Sequence, residues 1–232
     1  MPDKSESKEP TSPASAAAEL DFRRHGFVPG AGTLGMSLLV AMLSILFVSS
    51  LIGFFIFRSD FQFAVSIRLP PGLWLSTFIL LVSSCTMHWA VSAVNHDRQK
   101  WLRLALMLTL ALGLTFLVIQ GFNWFDLLDT LRANQAALAA FHGPAASSNG
   151  GLPHGEGTLI ESHVLLVVFY VFTVLHAAHV VGGIIPLSVT TFKARRGIYS
   201  RNYHPGVRYC AIYWHFLDAV WVLIFITLLA TF

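Results

Sequence analysis

The sequence predicts an all-α integral membrane bundle of five transmembrane helices, and three observations predict it. Hydrophobic residues make up 55% of the 232 residues and charged residues only 12%, about half the charged share of an ordinary soluble domain. The apolar residues fall in long runs rather than in short amphipathic stripes, and about 20 apolar residues in a helix cross roughly 30 Å of hydrocarbon. Basic residues concentrate in alternate connecting segments, the pattern that orients a multi-pass chain. Within hydrocarbon each run must be helical, because no water is there to satisfy the backbone.

Residues 1–30 (KSESKEPTSPASAAAE and its flanks) are rich in Ser, Pro, Ala, Lys and Glu. Such a segment buries too little apolar surface to offset chain entropy, so a disordered cytoplasmic tail is expected. A cleaved signal peptide needs a charged start followed directly by an apolar core, whereas here that core begins near Leu34. The first span is expected to act as its own uncleaved insertion signal.

The membrane domain is expected over 31–232, with spans at about 34–57, 73–94, 102–122, 160–189 and 209–232. The tail carries Lys4, Lys8, Arg23 and Arg24, the second connection Arg98, Lys100 and Arg103, and the fourth Lys193, Arg195, Arg196 and Arg201. The first connection has Arg58, Arg68 and Asp60, and the third has Asp126, Asp129 and Glu156 against Arg132. This alternation predicts a cytoplasmic N-terminus and a periplasmic C-terminus. The third connection, 123–159, is read as an external loop that holds a short helical piece (DLLDTLRANQAALAAF) and a Gly/His/Ser-rich stretch. His142 and His154 in it lack metal-ligand spacing.

The net charge of +3 is accounted for by topology, so no nucleic-acid partner is implied. Cys85 and Cys210 form no CxxC or CxxxC pair, and both are expected to be buried apolar thiols.

Chemistry concentrates in the last two spans. Trp214, Asp218, Trp221 and Phe225 recur at helical spacing in AIYWHFLDAVWVLIFITLL, which puts two indoles, a carboxylate and a ring on one face. A carboxylate there costs roughly 2.5–3.5 kcal/mol on insertion scales, so Asp218 should face protein and find a partner. His215 on its own helix is one candidate, and His176 and His179 in FTVLHAAHVVGG are others. Gly182 and Gly183 should let a neighbouring helix approach closely.

TVLHAAHVVGGIIPL resembles the pattern T-G-F-H-G-x-H-V-x-x-G, with Thr173, His176, His179, Val180 and Gly183 on matching positions. YWHFLDAVW resembles Y-W-H-F-V-D-x-V-W through Tyr213, Trp214, His215, Phe216, Asp218, Val220 and Trp221. Both patterns are those of subunit III of haem–copper oxidases, the cytochrome c and quinol oxidases. NYHPG resembles that family's N-H-H-F-G loop through Asn202, His204 and Gly206, and GLTFLVIQGFNWFD resembles G-x-x-F-x-x-x-Q-x-x-E-Y-x-E through Gln120, Trp124 and Asp126. STFILLVSS and Trp89 of the second span also fit, so the resemblance covers about Leu73 to Phe232. Five spans suit the short form of the family.

The resemblance implies a non-catalytic subunit of a terminal respiratory oxidase in the bacterial inner membrane. It implies two spans set apart from three, structural phospholipid in the cleft between them, and direct packing on oxidase subunit I with subunit II nearby. It implies no cofactor in this chain, with haem and copper held by partner subunits. In the family, surface histidines near the last connection help collect protons. His204 fits that role, and equally fits a solvated loop histidine beside Arg201. The sequence departs from the family at LGMSLLVAML, where Leu43 stands in place of a buried glutamate, at Asn123, and at Arg208.

Two other readings stay open. His88, His179 and His215 lie in the cytoplasmic halves of their helices, and two neutral imidazoles at matched depth would ligate a b-type haem in a membrane electron carrier. Asp218 and the tryptophans give these histidines partners without a cofactor. The departure at Leu43 also leaves room for the related accessory protein of a nitric oxide reductase.

Overall fold

The computed structural model describes residues 31–59, 72–141, 156–201 and 203–231. They form five helices: α1 Ala31–Ser59, α2 Gly72–Asn95, α3 Gln99–Phe141, α4 Glu156–Arg195 and α5 Pro205–Thr231. Each contains a stretch long and apolar enough to cross a membrane, so the five-span expectation holds. The tail 1–30, Asp60 and Arg68 of the first connection, His142 and His154 of the third, and Asn202 lie outside the described residues.

The chain divides into two units after Leu39. In the first, Ala31–Leu39 opens α1, with Leu34 and Leu38 exposed. In the second, α2 packs along α3 and α5, and α4 packs along α3 and α5, closing a ring of four helices. These contacts pair α2 with α3 and do not show the expected division into two spans and three. The physical reason is the connection between them, only residues 96–98, which forces antiparallel neighbours.

The turn after α2 and the turn after α4 share one construction. Arg98 N–H donates to Ala93 O at 2.9 Å and Asp97 N–H to Val94 O at 3.1 Å, while Ile198 N–H donates to Lys193 O at 3.2 Å and Gly197 N–H to Ala194 O at 3.0 Å. Both are Schellman closures, which satisfy the last carbonyls through one left-handed residue. Gly197 takes that conformation at φ 72° and Asp97 at φ 54°, the latter being one of the few side chains that tolerate it. Gln99 Nε2 then donates to Tyr199 O at 2.9 Å and Arg103 Nε to Ala194 O at 3.1 Å, so the two turns are tied together. Tyr199 is buried between them, and that burial raises its hydroxyl above the ordinary tyrosine value despite a hydrogen bond from the Thr190 side. Arg98, Lys100, Arg103, Lys193, Arg195 and Arg196 all gather here, at what is the basic end of the bundle.

Helix α3 does not stop at Phe122. Its 43 residues make a rod of about 65 Å, so the helical piece expected inside the external loop is a direct continuation of the third span. Nothing between Gly121 and Phe141 breaks a helix, and Leu127 and Leu131 are buried. Beyond the hydrocarbon it carries an exposed Arg132–Asp129 ion pair at 3.0 Å. Helix α4 likewise begins at Glu156 rather than near residue 160, and includes Pro186.

The cysteine expectation holds for Cys210, which is buried with its Sγ 3.2 Å from Thr190 Oγ1. It fails for Cys85, which is exposed on α2. In lipid both faces of a helix are apolar, so a local apolar run does not reveal which face is turned inward.

Candidate functional site

The residues singled out in the last two spans meet in the middle of the bundle, in three tiers. Farthest from the basic end, Trp124 Nε1 of α3 donates to Thr173 Oγ1 of α4 at 3.1 Å. The Thr173 hydroxyl lies 3.2 and 3.1 Å from the Phe169 and Tyr170 carbonyls.

The second tier is an aromatic junction around His176, whose ring is fully buried. Phe116 of α3 meets it edge-on at 6.0 Å, Trp221 of α5 lies tilted against it at 5.2 Å, and Phe116 and Trp221 are 5.0 Å apart at 84°. Phe47 of α1 adds its ring 6.4 Å from His176 and 5.3 Å from His179. From the far side Trp221 Nε1 donates to Thr77 Oγ1 of α2 at 3.1 Å. All five helices therefore contribute a side chain to one junction.

The third tier, toward the basic end, locks α5 in place. Trp214 Nε1 donates to Ser83 Oγ of α2 at 3.0 Å, and its ring lies over Gly113 of α3, where a Cβ would come within 2.7 Å of Cη2. Tyr213 Oη donates to His179 O at 3.1 Å. A Cβ at Gly183 would sit 2.8 Å from Tyr213 Cε1 and 3.2 Å from Leu217 Cδ1, so Gly183 is where α4 and α5 close. Gly182 is exposed, with Tyr213 Oη at 3.9 Å as the nearest neighbour of an added Cβ. Only one glycine of the pair serves the approach expected of both.

The predicted face of α5 is real: Trp214, Asp218, Trp221 and Phe225 are all buried. The predicted pairing of Asp218 is not formed. Neither carboxylate oxygen bonds to a histidine; the Ser84 hydroxyl of α2 is the donor beside it, short of a well-formed hydrogen bond, and neither ring nitrogen of His176 has a partner among the described residues. His179 Nδ1 donates to Leu175 O at 2.7 Å on its own helix. His215 Nδ1 lies 2.8 Å from Ser84 Oγ of α2. Gln120 is fully buried, and neither amide atom has a partner among the described residues. His204 stands just before α5, half-buried, its Nδ1 donating to Ser200 O at 3.1 Å.

Sequence reading missed the acceptors. Thr77, Ser83 and Ser84 on α2 receive the two indoles and the imidazole, and Gly113 receives the Trp214 ring. A signal was present: two indoles seven residues apart on α5 need two acceptors two turns apart on a neighbour, and Thr77 and Ser83 offer that spacing.

His88 is exposed on α2, while His179 and His215 are engaged as described. Among the described residues no group of three or more His, Cys, Asp or Glu side chains converges as a metal site. What the arrangement does chemically is join helices through indole N–H groups, hydroxyls and packed rings.

Fold and site thus define a multi-pass helical membrane protein. The sequence model of the family described as cytochrome c oxidase subunit III matches residues 157–230, which are α4 and α5. A probable cytochrome c oxidase subunit 3 of Rickettsia bellii is 32% identical over 154 residues, covering 66% of this chain and 45% of that protein. Cytochrome c oxidase subunit 3 of Synechocystis is 30% identical over 159 residues, 68% of this chain and 55% of that one. That of the alga Pylaiella littoralis is 28% identical over 227 residues, 90% and 72% of the two chains. This chain belongs to the cytochrome c oxidase subunit III family, and it spans a little under half the length of the Rickettsia relative.

Proposed function

We propose that this chain is a non-catalytic subunit of a terminal respiratory oxidase, which reduces oxygen to water with coupled proton translocation. It sits in a bacterial inner membrane with its N-terminus cytoplasmic and its C-terminus periplasmic. It packs directly on subunit I beside subunit II, holds structural phospholipid, and supports sustained proton uptake by the subunit that carries haem and copper.

The observation that carries this reading is the junction of Thr77, Phe116, His176 and Trp221. Its imidazole is enclosed by rings rather than directed at an open ligand position, and the indole donors end on hydroxyls of α2. Such a core gives a rigid scaffold without reserving space for a redox group. The basic residues at one end support the orientation, and aromatic and basic side chains there suit phospholipid headgroups. His204 beside that end is proposed as one of the groups that collect protons.

Purification of the intact complex in mild detergent through a tag on this chain tests the proposal. The expected result is co-purification with a haem–copper oxidase subunit I and antimycin-insensitive oxygen consumption. Recovery of a nitric oxide reductase as the largest partner would overturn it in favour of that relative.

A further inference from the structure

The surface of the bundle is not uniform. Over most of it the exposed side chains are large and apolar, as on Met42, Ile45, Phe122, Val171 and Ile185. The seam between α2 and α5 differs. Cys85 and His88 of α2 and Ala219 of α5 are exposed, and Ser84 and His215 beside them are half-buried. Ser84, Cys85 and His88 share one face of α2, and His215 and Ala219 are four apart on α5. The Ser84–His215 contact at 2.8 Å makes the two faces continuous.

This seam lies within the hydrocarbon. Helix α5 has 27 residues, about 40 Å, against a core of roughly 30 Å. His215 is ten residues in from Pro205, which is about 15 Å along the helix and roughly 10 Å below the boundary. Ser84 takes Nδ1, and Nε2 finds no partner among the described residues. His88, within electrostatic reach of His215, makes no hydrogen bond among the described residues either. Lipid tails offer an imidazole nothing, and polar side chains inside spans face protein. The small Ser84, Cys85 and Ala219 leave room for another backbone to approach, as membrane helix interfaces require.

We infer that the α2–α5 seam is the docking face for a transmembrane helix of a second polypeptide, one that presents a hydroxyl or carboxyl group at the depth of His215 and His88. This rests on the reading of the chain as a subunit of a larger assembly and adds which face is used. The small side chains set a close approach, and the imidazoles set register and depth.

The test is site-specific photo-crosslinking in the purified intact complex. Cys85→p-benzoylphenylalanine places the probe in the seam, and Leu81→p-benzoylphenylalanine places it at the exposed rim one turn away, where added bulk disturbs docking least. Ile185→p-benzoylphenylalanine on α4, 64% exposed, is the control. The expected result is a crosslink from position 81 or 85 to a transmembrane peptide of the largest co-purifying polypeptide, and lipid adducts alone from position 185. Lipid adducts alone from all three positions, with the complex still co-purifying, would overturn the seam while leaving the subunit reading intact. Failure of the unmodified chain to co-purify with any polypeptide would overturn both.

Discussion

Trp221 Nε1 of α5 donates to Thr77 Oγ1 of α2 at 3.1 Å, and this bond fixes the ring that closes on His176. Thr77 is able to accept because its own hydroxyl proton goes to Leu73 O at 2.8 Å. The bond thus joins two helices through residues 144 positions apart in sequence.

Trp221→Phe keeps a ring beside Phe116 and His176 but removes the donor. The expected loss of stability is about 0.6 kcal/mol, the average found for hydrogen bonds between membrane helices, and a double-mutant cycle with Thr77→Val measured by unfolding in mixed micelles should return that coupling. Trp221→Ala empties the centre of the junction and should cost about 3–5 kcal/mol. A coupling near zero in the cycle would show that the indole N–H does not matter.

Gly183→Ala and Gly182→Ala differ in sign. The added methyl at 183 meets the Tyr213 ring and should destabilise by about 1–3 kcal/mol, as overpacking does. At 182 it meets ordinary contact at 3.9 Å and replaces a poor helix former, so stability should hold or rise slightly. Thermal melting in detergent, read by loss of monodisperse protein, separates the two. Equal melting of both variants would contradict the geometry.

Gly113→Ala should be damaging and conditionally rescued. Its Cβ would overlap the Trp214 ring, so Gly113→Ala alone lowers the melting temperature. Adding Trp214→Phe, which withdraws the part of the ring that clashes, should make the effect of Gly113→Ala much smaller. Additive losses in the double variant would show that the two residues are not in contact.

Asp218→Asn should preserve the fold and its recovery with partners. The sequence alone suggests that a carboxylate here is an acceptor whose loss weakens assembly. In the structure its oxygens meet no well-formed hydrogen bond among the described residues and have only the Ser84 hydroxyl beside them, so the isosteric amide costs little in hydrogen bonding and removes an ionisable group from a buried site. Size-exclusion recovery of the complex should match the unsubstituted protein, and a sharp fall would mean that Asp218 holds a partner through its charge.

Much of this was readable from the sequence, and the part that was not has one cause. The five spans follow from composition and backbone solvation, and the buried face Trp214–Asp218–Trp221–Phe225 follows from spacing within one helix. Which helix that face meets depends on rotations about helix axes, which apolar runs do not encode when lipid and protein interior are equally apolar. Hence spacing offers Asp218 His215 of its own helix and the two histidines of α4 as partners, while the structure brings the indoles to Thr77 and Ser83 of α2. The same ambiguity placed Cys85 inside. The continuation of α3 to Phe141 was visible as helical sequence, but its continuity with the span depended on Leu127 and Leu131 finding cover.

The central claim is that this chain shapes an oxidase without holding a redox centre. The most direct measurement strips the chain from the tagged complex with detergent and counts haem and copper per complex before and after, with an absorption spectrum of the released polypeptide. The account predicts unchanged haem and copper, no Soret band on the released chain, and oxygen consumption that decays sooner during sustained turnover of the stripped complex. A Soret band that leaves with the chain, together with a fall in haem per complex, would contradict it.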